Sequence, residues 1–162
     1  MNENLLQKNN VKKFINCLKY KNENLRLIQL DETARTALDA SKSLKVYVGS
    51  IVKSIIFKSY NNNYYLFLVS GDKYVSTKII KKITNTDMIK ANADEVKIQT
   101  GYSIGGVPPI CHNNDPKRIF IDINLGRFNK IYAAAGHSHV VFEITYDKLC
   151  IISKGEITNF VE

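Results

Sequence analysis

At 162 residues with a formal charge of +8, the chain has the size of one domain with room for its own core. Its 44% hydrophobic and 23% charged residues exclude a disordered tail and a disulfide-stapled miniprotein. No apolar run approaches the roughly 18 residues of a membrane span, and Met1-Asn2-Glu3-Asn4 lacks the basic patch and apolar stretch of a secretion signal, so a cytoplasmic domain without a membrane is expected.

The excess of 23 Lys and Arg over 15 Asp and Glu raises an acidic partner such as nucleic acid. Only Arg26, Arg35, Arg118 and Arg127 are arginines, and a chain rich in Lys, Asn and Ile also follows from the base composition of coding DNA. Cys17, Cys111 and Cys150 are an odd number and far apart, which suits a reducing compartment better than a disulfide framework.

Leu5, Leu6, Val11, Phe14, Ile15 and Leu18 recur close to helical spacing and predict an amphipathic helix ending near Lys21. Leu25 to Leu30 alternates as a strand. Thr33 to Ser43 predicts a second helix capped by Asp31 or Thr33. Ser50 to Ser59 and Tyr64 to Ser70 are dense in Ile, Val, Tyr and Phe around a polar Tyr60-Asn61-Asn62-Asn63 turn, the pattern of a hairpin. Val75 to Thr84 reads as a short helix with Lys78, Lys81 and Lys82 on its wet side. Asn92 with Glu95 forms a capping-box pattern, and Gly101 stands where a glycine ends that helix. Strands are expected at Arg118 to Ile123, Lys130 to Ala135 and His139 to Thr145. Tyr146 to Ser153 and Glu156 to Val161 fit helix or strand. Such an order suggests a mixed or antiparallel sheet covered by helices, an α+β domain.

Three segments could carry chemistry. In Ile51-Val52-Lys53-Ser54-Ile55-Ile56-Phe57 a lysine stands on an otherwise apolar strand, sharing a face with Ile51, Ile55 and Phe57 while Ser54 joins Val52 and Ile56. It either snorkels to the sheet's end, as Lys58 is expected to do, or holds an anionic or carbonyl group in a pocket. In Gly101-Tyr102-Ser103-Ile104-Gly105-Gly106-Val107-Pro108-Pro109 paired glycines admit a ligand close to the backbone and paired prolines stiffen the exit. That loop is either a tight turn or a set of amides presented to an oxyanion, and it is no Walker loop because no Gly-Lys-Ser/Thr follows. In Ala133-Ala134-Ala135-Gly136-His137-Ser138-His139 small residues lead into a histidine pair. With His112 these histidines raise a zinc hydrolase, against which stands the absence of Cys-x-x-Cys or His-Glu-x-x-His spacing. No Gly-x-Ser-x-Gly supports a serine triad.

Together these segments resemble the YbaK family of freestanding aminoacyl-tRNA deacylases, relatives of the editing insertion of bacterial prolyl-tRNA synthetase. The likeness runs from about Thr33. It takes in Thr33-Ala34-Arg35-Thr36-Ala37, the lysine-bearing strand, Leu68-Val69-Ser70-Gly71-Asp72-Lys73, Ala93-Asp94-Glu95-Val96 with Thr100-Gly101-Tyr102, the Gly105-to-Pro109 loop as a G-x-x-x-P motif, Ile121-Asp122 and Ala133-Ala134-Ala135-Gly136. It implies a single domain over 1–162, with a largely antiparallel, barrel-like sheet covered by helices.

The resemblance further implies Lys53 as the catalytic residue. It implies Ser54, Gly105, Gly106, Val107, Pro108, Pro109, Gly136 and His139 as the walls of the aminoacyl pocket. The implied activity is hydrolysis of mischarged aminoacyl-tRNA without metal or organic cofactor, with prolyl-tRNA synthetase as a possible partner. The branch that clears cysteine often carries a tyrosine where Leu30 stands and Gly-Lys-Arg-Gly where Gly136-His137-Ser138-His139 stands, which argues against a pure cysteine deacylase. The expected substrate carries a small amino acid such as alanine, serine or cysteine, with the proline tRNA as one candidate. Lys73, Lys78, Lys81 and Lys82 form a candidate strip for the tRNA acceptor end. A non-catalytic tRNA- or synthetase-binding module is the competing expectation.

Overall fold

A computed structural model describes residues 3–32 and 34–162. Helix α1 (Asn9–Tyr20) buries Val11, Phe14 and Leu18, the apolar stripe expected of it, and Phe14 stacks on Phe142 with ring centroids 5.4 Å apart. After β1 (Arg26–Gln29), α2 (Ala37–Leu44) starts later than its pattern suggested. Thr36 is extended and forms a capping box with Asp39, so the chain turns helical only after it. The expected cap Thr33 lies outside the described residues.

Strands β2 (Val52–Ser59) and β3 (Tyr64–Ser70) form the predicted hairpin, in register from Val52↔Ser70 to Lys58↔Tyr64. Asn62 takes the left-handed conformation in its turn. Then come α3 (Thr77–Thr84), β4 (Met88–Lys90) and α4 (Ala93–Thr100), the last with the predicted Asn92–Glu95 capping box and a left-handed Gly101. Strands β5 (Arg118–Asp122), β6 (Ile131–His137) and β7 (Val140–Ile144) precede α5 (Tyr146–Ser153) and β8 (Glu156–Thr158). The two ambiguous stretches are thus one helix and one short strand.

These strands build two sheets, β4-β2-β3-β5-β8 and β1-β7-β6. The pairings β3–β5 and β5–β8 are parallel and the other ladders antiparallel. Among the described residues one bridge, Ile51↔Tyr132, joins the sheets, so they do not close into the barrel-like sheet expected from the resemblance. Alternation along β2 and β3 sends Val52, Ile56, Leu66 and Leu68 into a core shared with α1 and with Ala133, Ala135 and Phe142 of the second sheet. The opposite face buries Phe57, Phe67 and Val69 under Ile80 of α3 and under Phe160.

The cysteine expectation is also corrected. Cys17 on α1 is disulfide-bonded to Cys111, with Cα atoms 6.2 Å apart across a sequence separation of 94. Distance along the chain carried no information here, because α1 packs back over the segment that follows the two prolines. Cys150 is free and partly buried.

Candidate active site

Strand β4 pairs with β2 only at Phe57, Lys58 and Ser59. The first part of β2 therefore has a neighbouring strand on one side alone. Its five residues Val52 to Ile56 all line a cavity of about 270 Å³. Further walls come from Ala34, Arg35, Thr36, Ala37 and Ala40 around the start of α2, from Ile104, Gly105 and Val107, and from Tyr132, Ala134, Ser138 and Val141 of the second sheet. Lys90 and Ala91 complete it beside β2, where the Ala91 amide donates to the Ile56 carbonyl at 2.9 Å. The lining is mostly apolar with a few polar groups, the usual character of a small-ligand site.

Lys53 is on the predicted face with Ile55 and Phe57, yet its ammonium does not run to open solvent. It donates to the Lys73 carbonyl and lies 4.7 Å from the centroid of the Tyr74 ring. Burial pulls its pKa below the ordinary 10.5; Asp72 pushes back, Lys90 adds to the lowering and Asp122 opposes it. Lys58, the ordinary lysine of the strand, pairs with Glu95. Ser54 points to the other face, where its hydroxyl is buried with no partner among the described residues. An unpaired hydroxyl beside a cavity is free to hydrogen-bond with whatever occupies it.

The turn at the end of β3 supports the lysine strand. Asp122, fully buried, accepts from the Ser70 amide at 3.0 Å and from the Asn124 amide at 2.9 Å. Arg127 bridges to both Asp72 oxygens at 3.0 and 2.7 Å. Gly71 is required here, since a Cβ would come 2.1 Å from the Val48 carbonyl oxygen.

The glycine-proline loop is divided in its duties. Gly106 donates its amide to Ser103 O at 2.9 Å and packs against the His137 backbone, while its carbonyl accepts from the Gly136 amide at 3.0 Å. Pro108 and Pro109 are buried, and the Pro108 carbonyl is 2.6 Å from His112 Nε2. These three residues stand behind the wall, and of the predicted loop residues only Gly105 and Val107 line the cavity. Among the described residues no hydrogen bond takes up the amides of Gly105 and Val107.

Gly136, at φ +100, faces α1, where a Cβ would come 2.6 Å from Asn10 O. His139 lines an adjacent hollow with Glu3, Lys8, Gln29, Glu32 and His137. His112 is not gathered with that pair, and among the described residues no group of three His, Cys, Asp or Glu side chains is placed to hold a metal ion.

Of the lysine strip, Lys78 and Lys82 are exposed on α3, Lys73 is half-buried, and Lys81 is paired with Asp87 at 2.7 Å. Sequence reasoning missed Arg35, Lys90 and Ser138 as cavity residues. Arg35 and Ser138 lay inside motifs already singled out, whereas Lys90 is on a three-residue strand with no local pattern to expose it.

A family model described as an aminoacyl-tRNA editing domain matches residues 31–150. The chain is 26% identical over 129 residues to the uncharacterized protein YwhH of Bacillus subtilis, covering 80% of this chain and 82% of that one. It is 32% identical over 94 residues to a proline–tRNA ligase of Fervidobacterium nodosum, covering 56% of this chain but only 16% of the ligase. A crystal structure of a candidate trans-editing enzyme for prolyl tRNA synthetase superposes with a TM-score of 0.90 at 28% identity, over 96% of this chain and 98% of that one.

Proposed function

This chain belongs to the family of aminoacyl-tRNA editing domains, and on that footing we propose that it is a deacylase that hydrolyses the ester of mischarged tRNA. The observation that carries the proposal is the cavity itself, where Lys53, Ser54 and Gly105, whose amide is unengaged, line one small, largely apolar space. Lining by Ala34, Ala37, Ala40, Ala91 and Ala134 suits a small aminoacyl side chain such as alanine or serine.

Ester hydrolysis builds negative charge on the carbonyl oxygen. The Gly105 and Val107 amides are the free donors for it, and one such donor is worth on the order of 3 kcal/mol in the transition state. The Lys53 ammonium has three protons and spends one on Lys73 O, which leaves two to polarise the ester or anchor the terminal ribose. Ser54 offers its unpaired hydroxyl to the aminoacyl group. The reading needs no metal or organic cofactor, since the aminoacyl ester is already labile.

Arg35 and Lys90 at the cavity, with exposed Lys78 and Lys82 on α3, are the cations we assign to the acceptor end. The proline tRNA is the first substrate to test, given the ligase and trans-editing relatives, with prolyl-tRNA synthetase as the candidate partner. The test is ester loss from alanyl-, seryl- and cysteinyl-tRNA with Lys53→Ala as control. Accelerated loss that disappears in Lys53→Ala is expected. Salt-sensitive tRNA retention without ester loss would leave a binding module instead.

A further inference from the structure

Ser138 and His139 close the β6–β7 hairpin, whose register shifts between Ala134 and His137 at the left-handed Gly136. The bulge sets the two side chains in different places. Ser138 lines the cavity, and His139 lies in the hollow next to it. They remain linked, with Ser138 Oγ 2.9 Å from His139 Nδ1.

The other ring nitrogen decides the direction of that bond. His139 Nε2 is 3.0 Å from the Glu32 carbonyl oxygen, which can only accept. Nε2 therefore carries the proton, and Nδ1 turns its lone pair to the Ser138 hydroxyl. The His139 backbone is fixed in turn, because its amide donates to His137 Nδ1 at 3.0 Å. Gly105 stands close by, since a methyl built on it would sit 3.4 Å from Ser138 Cβ. A hydroxyl, a base oriented by a third group and a free amide thus meet at one edge of the cavity, the arrangement that acyl-transfer chemistry requires.

We propose that Ser138 and His139 form a proton relay for ester hydrolysis in this cavity, an inference that rests on the deacylase reading. Ser138 Oγ accepts a proton from the attacking water as it passes its own to His139 Nδ1, giving an imidazolium that hydrogen-bonds the Glu32 carbonyl. Water oxygen bonds to the ester carbon, and the carbonyl oxygen takes the negative charge. When the tetrahedral intermediate collapses, the bond to the ribose oxygen breaks. The proton then returns through Ser138 to that oxygen, leaving free amino acid, an intact tRNA end and the resting pair. Ser138 is the catalytic residue of the two because it touches the reacting water, and His139 acts through it. Water is the only co-reactant, and no oxidant or metal enters the balance.

The experiment is steady-state deacylation by the full chain and its variants, beside the ¹⁵N spectrum of the histidine rings. Ser138→Ala is expected to lower kcat by about 10²- to 10⁴-fold with KM unchanged, the usual span of proton-transfer catalysis. Ser138→Thr, which keeps the hydroxyl, is expected to recover most of it. His139→Gln should match Ser138→Ala, and the double variant should be no worse than either, as for residues acting as one unit. Unchanged kcat in Ser138→Ala, a loss confined to KM, or multiplying losses in the double variant would overturn the relay while leaving the deacylase intact. A wild type that spares every mischarged tRNA would overturn the deacylase reading and the relay with it. Independently of activity, a spectrum showing His139 protonated on Nδ1 in place of Nε2 would overturn the relay's geometry.

Discussion

The ammonium of Lys53 donates to the backbone carbonyl of Lys73, twenty residues further along the chain. This bond ties the start of β2 to the turn that follows β3, and it keeps the cation partly away from water. Burial, the largest influence, sets the folded pKa below the ordinary 10.5. Between the lowered value and 10.5 the unfolded chain holds more protons than the folded one, so this group's unfavourable contribution is complete at lower pH and fades as pH rises through that window. For activity the consequence is opposite. A reaction that needs the ammonium fails at a lower alkaline pH than an ordinary lysine would set. The alkaline limb of kcat/KM against pH should fall below 10.5, and Asp72→Asn, which removes the charge that most favours the ammonium, should move it lower still.

The Asp72–Arg127 pair supplies a second pH effect. Hydrogen bonds from Arg127 are the largest reason that the Asp72 carboxyl lies below its ordinary 3.8. A depressed carboxyl stabilises the fold above its unfolded value and loses that contribution as pH falls through the folded one. The Arg127 and Asp72 side chains are 40% and 32% exposed, so solvent screens the pair, and Arg127→Met should cost only about 1 kcal/mol at neutral pH. Acid titrations of the wild type and the variant, followed by circular dichroism, should show the variant unfolding at the higher pH.

Cys17 and Cys111 make the largest stability prediction. Their bond closes a 94-residue separation, for which about 2–4 kcal/mol is typical. Reductant should lower the wild-type melting temperature and leave Cys17→Ser unmoved, with the reduced wild type and the variant melting together. Differential scanning fluorimetry with and without reductant measures this. A wild type indifferent to reductant would mean that α1 stays in place through Val11, Phe14 and Leu18 alone.

Local patterns carried most of the architecture and part of the site. The β2–β3 hairpin, the Asn92–Glu95 capping box and the face of Lys53 were legible because each depends on neighbours within a few residues. The open relation of the two sheets was not, because the Ile51↔Tyr132 bridge joins residues on different strands with no shared signal. Gly105 and Val107 line the cavity while Gly106 is spent on the Ser103 turn, a division invisible in a run of small residues. Ser138 was passed over because strand alternation treats it as the residue between two histidines. A bulge at Gly136 breaks that alternation and aims the serine at the cavity.

The early end of the β4 ladder also separates how such a site can diversify. Lys53 and Ser54 belong to a strand anchored by β3 on one side, so their position is inherited from the sheet. The alanines at 34, 37, 40, 91 and 134 come from helix starts, a connector and the second sheet. Exchanging one of them for a bulkier residue resizes the chamber without moving Lys53 or Ser54. Under the proposed deacylase function, a lineage of such proteins would therefore change which amino acid it removes through single methyl-scale substitutions, while the hydrolytic step is carried forward unchanged.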